Sequence, residues 1–137
     1  MSSANQRIID EFHANSGRVG GNFDGRTLLL LHHRGAKTGT ARVNPVAYQR
    51  VSDDKVAVFA SKGGAPTNPA WYYNVVANPE VSVEIGTQRL SARAHVAEGE
   101  ERERIWERQK RDWPAFAGYE EKTEGIREIP VIVLELG

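Results

Sequence analysis

Residues 81–96 hold the pattern that most restricts how this chain can fold. Val81, Val83 and Ile85 alternate with Ser82 and Glu84, and Leu90, Ala92, Ala94 and Val96 alternate with Ser91, Arg93 and His95. A period of two places each apolar set on one face of a strand, so both segments read as half-buried strands. Gly86-Thr87 between them supplies the turn of a hairpin. A lone hairpin is marginal in water and needs partner strands. The chain offers them at 27–33, 42–50, 56–60 and 130–136. Gly35 and Gly39 bracket a turn over 34–40, and Asp53-Asp54 marks another. Pro45 lies inside the 42–50 run, which argues for an edge position or a bulge, because proline cannot donate to a strand ladder. Six strands at short spacing predict an antiparallel sheet closed into a barrel, a mainly β, α+β architecture with flanking helices.

The helices follow from a different period. Ser3 and Gln6 fit a capping box, Ile8, Ile9 and Phe12 share one face, and Gly17 is a plausible stop, so a helix is expected over 4–15. Gly17, Gly20, Gly21 and Gly25 make the next stretch a loop. Residues 61–69 hold two glycines and two prolines and read as a loop as well. A short helix over 70–77 is ended by Asn78-Pro79. A charged helix over 99–112 carries Ile105, Trp106 and Gln109 at helical spacing, and Trp113-Pro114 breaks it. The run from Glu100 to Arg111 reads as a solvated helix face. The 137 residues show no internal repeat and no boundary, so a single domain is expected over 1–137, with 1–20 as an N-terminal helix and loop.

What the chain lacks narrows its chemistry. It has no cysteine, which excludes disulfides, a thiol nucleophile and thiolate metal sites and fits a reducing, cytoplasmic setting. Its 18 Lys and Arg balance 18 Asp and Glu, which argues against a generally basic nucleic-acid binder. The balance hides an asymmetry: residues 1–89 carry ten basic and seven acidic side chains, and the remainder eight and eleven. His32 and His33 are adjacent in a strand and point oppositely, and His13 and His95 have no metal-ligand spacing, so no metal is expected. No nucleophile elbow, Ser/His/Asp order or paired carboxylate is present. The apolar run 28–31, like every other in the chain, is far short of the roughly 20 residues that span a bilayer. No transmembrane segment is expected, and peripheral membrane contact would fall to the first helix.

Three segments remain as candidates. Arg34 to Arg42 places three cations, two hydroxyls and exposed backbone N–H groups in one glycine-bracketed turn, suited to phosphate or carboxylate; the bland alternative is a solvated hairpin. Ala60, Ser61, Lys62, Gly63 and Gly64 follow a strand, and two adjacent glycines let a flat ligand approach the backbone; the alternative is a strand-to-helix connection. Trp71 and Asn74 share a face of the short helix, either toward a ligand or simply in the core.

These segments, taken in order, carry a family likeness. Leu28-Leu29-Leu30-Leu31, Gly35-Ala36-Lys37-Thr38-Gly39, Arg42-Val43-Asn44-Pro45-Val46, Ala60-Ser61-Lys62-Gly63-Gly64-Ala65-Pro66, Asn68-Pro69-Ala70-Trp71-Tyr72-Tyr73-Asn74 and Ala77-Asn78-Pro79-Glu80-Val81 resemble the deazaflavin-dependent nitroreductase family. The resemblance implies a split β-barrel related to FMN-binding split barrels. It implies reduced coenzyme F420, an 8-hydroxy-5-deazaflavin, as hydride donor to an electron-poor quinone, enone or nitro compound. It places Lys37, Thr38 and Arg42 on the phosphate and polyglutamate tail, Asn44, Pro45 and Val46 along the cofactor, and Ala60, Ser61, Lys62, Gly63 and Gly64 along the ring and its tail. Trp71 and Asn74 would close the pocket, and Ser61 is the candidate hydrogen-bond donor to the acceptor. Family members shape the substrate side with C-terminal tyrosines; here that stretch offers Trp113, Phe116 and Tyr119. FMN is the alternative cofactor, although its single phosphate does not call for so cationic a turn. A non-enzymatic carrier of the same fold is the other alternative, and a homodimer is the assembly that relatives suggest. Hydride transfer suits this chain, because the cofactor supplies the reactive carbon and no protein nucleophile or metal is needed.

Overall fold

The structure is a computed structural model in which residues 3–17 and 28–137 are described. The expected loop glycines Gly20, Gly21 and Gly25 and the start of the first strand lie outside the described residues. Six strands, β1 (Leu28–Arg34), β2 (Ala41–Ser52), β3 (Lys55–Phe59), β4 (Glu80–Ile85), β5 (Gln88–Val96) and β6 (Val131–Leu136), close into a barrel in the order β1-β2-β3-β6-β5-β4. Every pairing is antiparallel, and β4 returns to β1 through Leu30 to His32.

The two-residue alternation decides what fills the barrel. Leu29 and Leu31 of β1, Val56 and Val58 of β3, Val81 and Val83 of β4, Ala92 and Ala94 of β5, and Ile132 and Leu134 of β6 share one interior cluster. Fully burying each of the larger side chains contributes about 1.5–3 kcal/mol. The helix α2 (Ala70–Ala77) adds Trp71 and Val75 to the same cluster. The outer faces of β3 and β6, with Ala57, Phe59, Val131 and Val133, pack instead against α3 (Gly99–Asp112) and α4 (Ala115–Thr123). A third, smaller cluster seats Ile9 and Phe12 of α1 (Ser3–Ala14) on Leu30 of β1.

Several local expectations change. Pro45 pairs with Leu30 of β1, and β2 meets β3 only from Tyr48 onward. Pro45 therefore sits where β2 has a neighbour on one side only, and the bulge lies farther on, between Arg50 and Ser52. The loop over 61–69 contains a single 3-10 turn at Lys62–Gly64. The Gln6 side-chain amide donates forward to Asp10 at 2.9 Å. Gly17 does end that helix: Ser16 and Gly17 both have positive φ, and the Gly17 N–H reaches the Phe12 carbonyl at 2.7 Å. A Cβ at Gly17 would stand 2.6 Å from the Cα of Gly86, so the end of α1 docks on the β4–β5 turn. The helix α4 has no signal in the sequence pattern, because its nine residues include Gly118 and bury only Phe116 and Thr123, too few for a helical period. The charged helix α3 is not solvated all round either. Arg102 is buried, donates to the Ile129 carbonyl at 2.8 Å and lies over the Trp106 ring.

Candidate active site

At the end of the barrel closed by α2 lies a cleft of about 1310 Å³. One wall is α1, with Gln6, Ile9 and His13; the others are the turn after β1, the start of β2 and the first turn of α2. Lys37, Thr38, Arg42, Asn44, Lys62, Trp71 and Asn74 all line it. The barrel thus brings together residues from three sequence segments that were separate candidates.

The cationic turn is rigid for a local reason and a distant one. The Gly35 N–H reaches the Thr40 carbonyl, and the Gly39 N–H reaches the Gly35 carbonyl, both at 2.9 Å. Gly39 takes a φ of +71°, which favours glycine. From α2, the Asn74 Oδ1 accepts the Ala36 N–H at 2.9 Å. Asn74 Nδ2 lies 3.2 Å from Nδ1 of His33, and the other ring nitrogen, Nε2, lies 2.7 Å from Asn44 Oδ1. These partners assign the tautomer: Nδ1 accepts from the Asn74 amide, and Nε2–H donates to Asn44. Burial, with Arg42 and His32 nearby, holds the His33 pKa below its ordinary value despite the Asn44 hydrogen bond. His33 is therefore a neutral hub joining β1, β2, α2 and the cationic turn. Lys37, Arg42 and Lys62 make no ion pair among the described residues. Three cations without carboxylate partners around one cleft are poised for an anion.

The loop after β3 has its own anion-binding geometry. Ser61 is right-handed helical (φ −78°, ψ −37°), and Lys62, Gly63 and Gly64 have φ of +49°, +64° and +83°. A right-handed residue followed by a left-handed one turns successive N–H groups to one side, forming a nest. Among the described residues, the N–H groups of Ser61, Lys62 and Gly63 meet no acceptor, whereas the Gly64 N–H closes onto the Ser61 carbonyl at 2.9 Å. Gly64 faces α4: a Cβ there would meet Lys122 at 2.9 Å and the Tyr119 Cα at 3.2 Å.

Some expected residues stand elsewhere. Val46 packs against the interior cluster, and Pro45, Ala60, Ser61, Gly63 and Gly64 do not line the cleft, so of the segment 60–64 Lys62 alone reaches it. Trp113, Phe116 and Tyr119 do not line the cleft; Phe116 is buried in the cluster between the outer barrel face and α3, with Trp113 and Tyr119 packed against it. Conversely, His33, Glu84 and Arg127 had no local signal. Glu84 joins His13 at 2.9 Å and His32 at 2.5 Å, tying α1 to the barrel beside the cleft. Burial pushes the Glu84 carboxyl up, but the hydrogen bonds from His32 and His13 outweigh it and hold its pKa low. His95 likewise finds carboxylates in space, Glu101 at 3.0 Å and Glu135 at 3.5 Å. No group of three His, Asp or Glu among the described residues is arranged to hold a metal ion.

Comparison with known proteins identifies the family. A family model described as F420H(2)-dependent quinone reductase matches residues 5–136. The chain belongs to this family. An F420H(2)-dependent quinone reductase of Mycobacterium tuberculosis is 34% identical over 127 residues, which cover 90% of this chain and 83% of that one. A solved F420-H2 dependent reductase is 42% identical, with a TM-score of 0.71 over 79% of this chain and 93% of its own. A second solved structure, a domain-swapped dimer, is 37% identical with a TM-score of 0.72, covering 95% of this chain and 92% of its own. The chain is accordingly an oxidoreductase of the split-barrel type whose cofactor is coenzyme F420 and whose reaction is hydride transfer to a quinone-type acceptor. No helix among the described residues is long and apolar enough to cross a membrane.

Proposed function

We propose that the cleft binds reduced coenzyme F420 with its anionic tail on Lys37, Thr38 and Arg42 and its deazaflavin ring along Ala60 to Gly64, and presents it to a quinone. The observation that carries this is the gathering of Lys37, Arg42 and Lys62, cations without carboxylate partners among the described residues, around one cleft, with Lys62 joining it to the adjoining N–H nest. Both fit a ligand with several negative charges, and each charge-assisted contact is worth about 1.5–3 kcal/mol. When bound, the cofactor supplies the hydride. The chain supplies position and dryness. Asn44 lines the β2 side and is oriented by His33, while Pro45 and Val46 support it from the same strand. Trp71 and Asn74 close the cleft from α2, and Asn74 also sets the backbone of the cationic turn. In this reading the Ser61 hydroxyl donates toward the developing negative charge on the acceptor oxygen. On the acceptor side, Tyr119 is the candidate: its backbone passes beside Gly64 at the end of the nest loop, while Trp113 and Phe116 seat α4. A cytoplasmic homodimer belongs to the same proposal, in keeping with the absence of cysteine and with the dimeric relative.

Titration with coenzyme F420 followed by fluorescence should saturate, and reduced cofactor with menadione should be oxidised in a protein-dependent way. A protein that purifies yellow with FMN and leaves F420 fluorescence unchanged would overturn the assignment. Binding without turnover of any quinone, enone or nitro acceptor would point to a carrier.

A further inference from the structure

The stretch between α4 and β6 contributes one side chain to the nest from behind. Arg127 donates from Nε to the Ala65 carbonyl at 3.0 Å, from Nη1 to the Ala60 carbonyl at 3.2 Å and to Asn68 Oδ1 at 2.7 Å, and from Nη2 to the Ser61 carbonyl at 3.0 Å. All of these acceptors lie on the single segment 60–68. Among the described residues Arg127 makes no ion pair, so its close partners are carbonyl and amide oxygens. Burial accordingly draws its pKa below the usual arginine value.

The consequence comes from peptide geometry. In a trans peptide the C=O and the next N–H point in opposite directions. The carbonyls of Ala60 and Ser61 share their peptide planes with the N–H groups of Ser61 and Lys62. A guanidinium that grips both carbonyls therefore turns both N–H groups away from itself, toward the side where the nest opens. It also holds Lys62 at a φ of +49°, a conformation that a side-chain-bearing residue keeps only when its surroundings enforce it. A planar fork with five donors in fixed directions suits this task, and a lysine ammonium does not.

We propose that Arg127 is a positioning residue for the cofactor: it shapes the nest at Ser61–Gly63 without touching the ligand. This rests on the cofactor assignment above. Hydrogen exchange of the full-length, ligand-free protein tests the grip directly. R127A should speed exchange across 60–68 while leaving β1 and β4 unchanged, and R127K should fall between. F420 titration of the same proteins should show affinity about tenfold weaker or worse for R127A, from the loss of charge-assisted bonds. The KM for reduced cofactor should rise more than kcat falls. Millimolar guanidinium should restore R127A binding, and equal sodium chloride should not. Wild-type exchange and affinity in R127A would overturn the proposal. So would exchange that rises equally over the whole barrel, with no recovery in R127K or with guanidinium. If the wild-type protein itself fails to bind F420, the cofactor assignment falls with that result, and the exchange of 60–68 alone then decides whether Arg127 shapes the nest.

Discussion

Asn74 is the residue through which α2 controls the cationic turn, and its replacement can be worked through in energy. In Asn74→Ala the Ala36 N–H loses its acceptor at 2.9 Å, and His33 Nδ1 loses its donor at 3.2 Å. A typical hydrogen bond contributes about 1 kcal/mol net, and leaving a buried partner unpaired raises the cost to about 1–3 kcal/mol. His33 is only 4% exposed, so its nitrogen is the more costly loss; together the two give about 2–4 kcal/mol. Urea unfolding should show that loss, and F420 affinity should fall because the turn bearing Lys37 is no longer pinned. Asn74→Asp separates the two bonds. One carboxylate oxygen still accepts from Ala36, but the other now faces Nδ1 and favours a proton there. In the native protein the folded state binds the His33 proton less readily than the unfolded chain, so its contribution to stability is kept above the ordinary value of 6.5 and lost as pH falls below it. In Asn74→Asp the folded pKa rises, so the added stability is present below 6.5 and lost as pH rises through the new value. Stability measured from pH 5 to 8, with the His33 ring followed by NMR, should give slopes of opposite sign. An Asn74→Ala protein within about 0.5 kcal/mol of native, the range of an ordinary surface change, or an Asn74→Asp protein with an unchanged slope, would refute the network.

Replacing Lys37 and Arg42 together by Ala should weaken binding of long-tailed F420 more than binding of the tail-less deazaflavin; equal losses, read by fluorescence, would remove the tail from that turn. Glu84→Gln should flatten the acid limb of stability: the Glu84 carboxyl is held low, so its contribution is present above about 4.5 and disappears as pH falls through the folded value. Because its partner His13 is half exposed, the neutral-pH loss should be about 1 kcal/mol or less by urea unfolding, with α1 exchanging faster. Gly64→Ala combines a φ of +83° with a clash against Lys122 and Tyr119. It should cost about 1–3 kcal/mol in thermal unfolding and raise the KM for cofactor, as α4 and the nest move apart.

Local periodicity made the barrel legible. The alternation at Val81, Val83 and Ile85 depends only on where successive Cβ atoms point in a strand, so residues a few positions apart carry the whole signal. The glycine-bracketed turn at 35–39 was legible for the same reason, and the order of the motifs along the chain carried the family. The partnerships inside the site were not legible. Arg127 acts on carbonyls 62 to 67 residues away, and Glu84 meets His13 across 71 residues. His33 looked like half of an idle histidine pair until strand pairing placed Asn44 beside it and α2 brought Asn74. The helix α4 carried too few buried positions to announce itself, yet it backs the nest at Gly64. The sequence by itself determined strand faces, turns and the clustering of cations from Arg34 to Arg42, because backbone geometry and short-range spacing set these. Only closure of the barrel decided which polar groups meet, because a buried donor must find its acceptor wherever the fold has brought one.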